Sequence, residues 1–268
     1  MAKQSHSPAG TDAWSQLKTG WKQARKFLAE DTVLSWIANL LIAFVIIKFI
    51  VYPGLGLLLG TSLPVVAVVS SSMDHSAINA EICGQQVIDS YSGSLDQFWD
   101  VCGGWYEQKG ITKEQFQAFS FKNGFKKGDI MVLVGTKRSN LKLGDILVFQ
   151  TSQSYPIIHR IINLSDQSDG SGLYQTKGDH NSAQIQQYVL FDEFGKASAC
   201  QSNGLAAPCF VGSPVTMNTP GAVRVIDESH ITKEQVIGKA VIKIPWFGWI
   251  KIWFTDIVQW LAGLFASH

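Results

Sequence analysis

The chain has 268 residues, enough for one core of ordinary size or two small ones, and its formal net charge of +1 leaves no basic excess of the kind a nucleic-acid binder carries. Hydrophobic residues make up 46% against 16% charged, with nine tryptophans, which is more apolar material than a soluble domain of this length calls for. The excess is concentrated at the two ends.

Residues 1–33 read as a cytoplasmic tail. Trp14, Leu17, Trp21, Ala24, Phe27 and Leu28 recur at helical spacing with Lys18, Lys22, Arg25 and Lys26 among them. Such a segment either lies as an amphipathic helix on anionic lipid or continues as one helix into the apolar run after it. From Leu34 the sequence "LSWIANLLIAFVIIKFIVY" is apolar apart from Ser35, Asn39 and Lys48, and matches the ~20 residues needed to cross ~30 Å of hydrocarbon. Residues 34–58 are therefore expected to be a transmembrane anchor. The basic residues precede it and "PGLGLLLGTSLPVV" after it carries no charge, so the N-terminus is expected inside and residues 59–243 outside.

The expected external part contains all four cysteines, Cys83, Cys102, Cys200 and Cys209, an even count that suits two disulfides in an oxidising compartment. Three pairings are open. The sequence-local one, Cys83 with Cys102 and Cys200 with Cys209, is favoured, since the spacings suit no zinc site; no metal is expected, and no cofactor. The runs "PVVAVV", "DIMVLVG", "DILVFQ", "PIIHRIINL" and "KAVIKI" are short, β-branched and bounded by Gly, Asp or Pro, which predicts a mainly β, antiparallel domain. A polar insertion at 74–125 interrupts them, with a short helix opening at the capping box Thr112 to Gln115.

Two features of this domain carry chemistry. "VVAVVSSSMDHS" follows a strand with a serine cluster, and a serine needs a base before it can attack anything. Of six histidines, His6 and His268 lie at the termini, His230 sits in a polar stretch that suggests exposure, and His75 is a surface or substrate-side residue. His180 adjoins Asp179. His159 stands apart, because "PIIHRII" puts an ionisable ring inside an apolar strand, where a polar group needs a reason.

Taken in order, "SSSM", "LGDILVF", "IIHRI", "TKGDHN" and "IGKAVIKIP", preceded by an anchor, resemble the type I signal peptidases, in the histidine-using subgroup of archaea and the ER. The resemblance covers roughly residues 34–253. It implies an antiparallel β-sheet protease domain that cleaves signal peptides from exported preproteins at the cell membrane, or the ER membrane in a eukaryote. Preproteins and the lipid bilayer are its implied partners, the translocation channel is a candidate partner, and nucleic acid is not one. It implies Ser72 as nucleophile and His159 as general base. Ser70 and the Ser72 N–H are implied as the oxyanion hole, and Asp179 as the acid that orients the imidazole. A histidine, ordinarily near ~6.5, can take the serine proton at neutral pH.

Two departures from the family pattern stand out. Asp74 and His75 occupy the places after the serine–methionine pair where an acid and a proline often stand. The further aspartate that often comes after "KGD" is also missing from "NSAQIQQ". Asp179 then orients His159 alone, or Asp192 or Glu193 folds back, or the pair works as a dyad. A non-catalytic signal-peptide-binding subunit of a processing complex would keep the strands and anchor without needing Ser72 and His159 together. At the C-terminus, residues 244–268 place Trp246, Trp249, Ile250, Trp253, Ile257, Trp260, Leu261 and Leu264 on one stripe opposite Lys251, Asp256 and Gln259. They predict a membrane-associated helix, interfacial or spanning.

Overall fold

A computed structural model describes residues 10–87, 90–151, 155–166, 172–191, 197–202, 222–249 and 253. The chain divides into two units, Met1–Leu58 and Leu59–His268.

In the first unit, α1 (Gly10–Ala29) and α2 (Val33–Ile46) are separate helices. The break is set by Thr32, whose hydroxyl accepts from the Ser35 N–H while the Ser35 hydroxyl accepts from the Thr32 N–H, a capping box that starts a new helix instead of extending the old one. A wide π turn at Ile47–Val51 then joins α2 to α3 (Tyr52–Leu59). It sits just ahead of Pro53, whose ring and missing N–H do not fit an ordinary i to i−4 turn. The combined helix Val33–Leu59 has 27 residues, of which an 18-residue stretch has a mean hydropathy of 2.4 and is 6% buried. At 1.5 Å per residue it is about 40 Å long, enough to cross a bilayer with some tilt.

The second unit is mainly antiparallel β. In chain order its strands and helices are β1 (Val65–Ala67), β2 (Glu81–Ile82), β3 (Gln85–Gln86), α4 (Leu95–Gln108), α5 (Lys113–Gln117), β4 (Ile130–Val134), β5 (Ile146–Phe149), β6 (Ile157–Asp166), β7 (Gly172–Lys177), β8 (Gln186–Phe191), β9 (Ala197–Ser202), β10 (Ala222–Asp227) and β11 (Val236–Ile244). Six form one sheet in the order β1-β4-β11-β5-β6-β7; β10-β8-β9 form a second and β2-β3 a small hairpin. Strand β5 shows why the large sheet is sandwiched. All four of its residues are buried, and they alternate between two clusters: Ile146 and Val148 pack with Met73, Phe125, Met131 and Leu133, while Leu147 and Phe149 pack with Leu141, Ile161, Tyr174 and Ile231.

The insertion leaves the sheet and returns to the same place, since the Phe125 N–H donates to the Met73 carbonyl at 3.0 Å. It carries its own core of Ile82, Phe98, Trp99, Cys102, Tyr106, Ile111 and Phe116, to which the sheet contributes Ile162. Helix α5 opens at the expected capping box of Thr112 and Gln115. Helix α4, capped by Ser94, is a helix of the insertion beyond the one expected at Thr112. Cys83 and Cys102 form a disulfide that ties the hairpin side of the insertion to α4. Cys209, and with it the expected Cys200–Cys209 pairing, lies outside the described residues, as does most of the C-terminal segment.

Candidate active site

Ser72 lies in the turn after β1, where the Asp74 N–H donates to the Ser71 carbonyl at 2.9 Å. The Ser72 carbonyl accepts from the His180 N–H at 2.9 Å, which pins the serine turn to the "KGDH" loop after β7. His159 sits on β6 opposite Leu147 of β5. Its Nε2 is 2.8 Å from Ser72 Oγ, and Ser72 Oγ is 3.1 Å from Ser70 Oγ. His159 is 2% exposed while Ser72 is half-buried, so the imidazole is shielded and the serine is partly open to solvent. Gly178 lets these pieces close up: a Cβ there would lie 2.8 Å from His159 Nε2 and 2.8 Å from the Ser72 carbonyl oxygen.

The acid at this imidazole is not the expected one. His159 Nδ1 hydrogen-bonds Glu228 Oε1, from the residue just after β10. Asp179 instead accepts from Arg160 Nε at 2.9 Å and Nη2 at 2.7 Å, from the Tyr106 hydroxyl at 2.9 Å, and from His75 Nε2 at 2.9 Å. The reason is strand parity. Successive residues of β6 point to opposite faces, so His159 meets Ser72 on one side while Arg160 reaches the insertion on the other and draws Asp179 with it. Asp192 and Glu193 lie outside the described residues.

His75 likewise differs from its expected surface position. It is 3% exposed, stacked on Phe98 with ring centroids 3.8 Å apart. This second, buried polar cluster is electrostatically tight. Burial by itself would raise the Asp179 carboxyl, but the Arg160 guanidinium and the His75 hydrogen bond outweigh it and hold Asp179 well below the usual carboxylate range. Lys177, also buried, is pushed down to about 8 by desolvation. Its Nζ donates to the carbonyls of Gly178 at 3.0 Å and Asp179 at 3.3 Å and lies 5.0 Å from the Trp105 and Tyr106 ring centroids. His230 is exposed and 3.1 Å from Asp227, as its polar surroundings suggested.

Glu228 is the residue that sequence reasoning missed, 69 positions from the histidine it meets. "DESH" gave no signal of a site, being a polar run at a strand end like many others. Among the described residues, no group of three or more His, Cys, Asp or Glu is placed to hold a metal ion.

Over 65 residues the chain is 38% identical to the signal peptidase complex catalytic subunit SEC11 of Eremothecium gossypii, a match covering 24% of this chain and 38% of that protein. Over 63 residues it is 32% identical to the signal peptidase complex catalytic subunit SEC11C of Homo sapiens and of Mus musculus, covering 23% of this chain and 33% of theirs. The matches thus span about a third of the length of these curated relatives. No family model matches the sequence.

Proposed function

We propose that this chain is a membrane-anchored serine endopeptidase that removes signal peptides from exported preproteins, with Ser72 as nucleophile and His159 as general base, as in the histidine-using signal peptidases. The observation that carries the reading is the 2.8 Å contact between His159 Nε2 and Ser72 Oγ, a base within hydrogen-bond reach of a nucleophile that is useless without one. The partial similarity to signal peptidase catalytic subunits and the apolar helix ahead of the domain support the substrate class.

In the proposed reaction Ser72 Oγ attacks the scissile carbonyl carbon as its proton moves to His159 Nε2. The oxyanion is met by the Ser72 N–H and the Ser70 hydroxyl. The C–N bond then breaks as His159 returns the proton to the leaving amine, and water, deprotonated by the same nitrogen, releases the acyl group. The protease domain would lie on the extracytoplasmic side, where signal peptides emerge.

The test uses the full chain in proteoliposomes with a preprotein bearing an apolar signal and small residues before the cut. Ser72→Ala and His159→Ala should each lower cleavage by ~10³-fold or more while expression and membrane insertion persist. Wild-type cleavage by either variant would sink the proposal.

A further inference from the structure

We infer that Glu228 is the positioning residue of the site: it fixes the tautomer and orientation of the His159 imidazole, in the place where Asp179 was expected. This inference rests on the proposed peptidase reading.

Glu228 is fully buried, and each contact it makes is with a group able to donate. Oε1 receives the Thr176 hydroxyl at 2.9 Å and faces His159 Nδ1, while Oε2 receives the Ile185 N–H at 2.6 Å. A carboxylate in that company is an acceptor, so the proton between it and the imidazole sits on Nδ1. Nε2 then presents its lone pair to the Ser72 hydroxyl, the arrangement a general base requires. The support extends to the backbone. The Thr176 N–H donates to the Glu228 carbonyl at 2.9 Å, the Glu228 N–H donates to the Ile185 carbonyl at 3.0 Å, and Gln184 Nε2 bridges the Thr176 and Glu228 carbonyls at 3.1 Å each. The carboxylate is thus held by β7 and by the segment leading into β8 before any substrate arrives.

Asp179 is not free to compete for this role. It is committed to Arg160, Tyr106 and His75, four hydrogen bonds that fill its acceptor capacity. "KGD" is retained in this chain while the acid that meets the imidazole comes from a different strand end.

Glu228→Gln tests the assignment. The Ile185 N–H selects the glutamine oxygen for the Oε2 place, since the amide there would set two donors against each other; the amide then stands in the Oε1 place, where it faces the Thr176 hydroxyl, donates to Nδ1 and forces the proton onto Nε2, where it faces Ser72. We expect kcat to fall by ~10²- to 10⁴-fold with KM nearly unchanged and Tm within a few degrees of wild type. Glu228→Asp should recover part of the loss. Wild-type kcat in Glu228→Gln, equal losses in the Gln and Asp variants, or a loss that only tracks Tm would overturn the inference. A measurement that needs no variant stands beside it: ¹⁵N NMR of the wild-type chain at neutral pH should find His159 protonated at Nδ1 and bare at Nε2, and the opposite tautomer overturns the inference even if Glu228→Gln fails to fold. If Ser72→Ala still cleaves, the peptidase reading fails. If Ser72→Ala and His159→Ala are inactive while Glu228→Gln keeps full kcat, only the positioning role fails.

Discussion

Two adjacent residues of β6, His159 and Arg160, divide the polar chemistry of the domain between them. One faces the serine and the other holds Asp179 against the insertion. The Arg160–Asp179 pair is fully buried, its guanidinium also satisfied by the carbonyls of Ser120, Phe121 and Gly144. Removing one member of such a pair leaves an uncompensated charge, so Asp179→Asn should cost about 3–5 kcal/mol and lower the Tm by roughly 10 °C. The sign of the pH effect comes from the depressed Asp179 value. Its stabilisation is complete above the ordinary carboxyl range near ~4 and is lost as pH falls below that toward the lower folded value. Acid unfolding of the wild type, monitored by near-UV circular dichroism, should therefore steepen below pH ~4. The Asn variant should lack that component, and identical acid profiles would count against the ion pair as its source.

The insertion is the element that sets this chain apart from a bare sheet. Helix α4 offers Phe98, Trp99, Cys102 and Tyr106 to a core that also takes in His75, and Tyr106 reaches through it to Asp179. Its helical spacing and its Ser94 cap were present in the sequence but were overshadowed by the polar residues around them. The insertion is bound to the rest of the unit by buried hydrogen bonds as well as by apolar contacts, so loosening it should loosen the floor beneath the "KGDH" loop. The Cys83–Cys102 bridge closes a span of 19 residues, and replacing both cysteines by serine should cost about 2–4 kcal/mol. Differential scanning of the oxidised and double-serine chains measures it, and equal transition temperatures would contradict the prediction.

At the scale of the whole molecule, the apolar helix Val33–Leu59 and the β unit are built on different physics. The helix exposes nearly all of its side chains, including Leu40, Leu41, Phe44 and Ile47, an arrangement that burial in lipid would make favourable. Phe44→Arg and Ile46→Arg should each cost about 2.5–3.5 kcal/mol of insertion at the helix centre. The double variant is expected to move from the alkali-resistant membrane fraction to the supernatant. Extraction of the wild type by alkaline carbonate would contradict the anchor.

Sequence by itself determined what depends on local pattern: an apolar run long enough to span, β-branched strands bounded by turn residues, the capping box at Thr112, and a histidine placed where an apolar strand should have none. Ser72 and His159 were singled out together by the resemblance that the ordered motifs carry, and not by either neighbourhood alone, and they stand 2.8 Å apart in the fold. Tertiary structure alone decided which acid meets the imidazole. That choice depends on the parity of β6, on Arg160 drawing Asp179 to the far face, and on a strand end 69 residues away being brought beside Thr176. Local sequence carries no trace of such a meeting, since hydrogen-bond partners are selected by where strands pair and not by how close the residues lie along the chain.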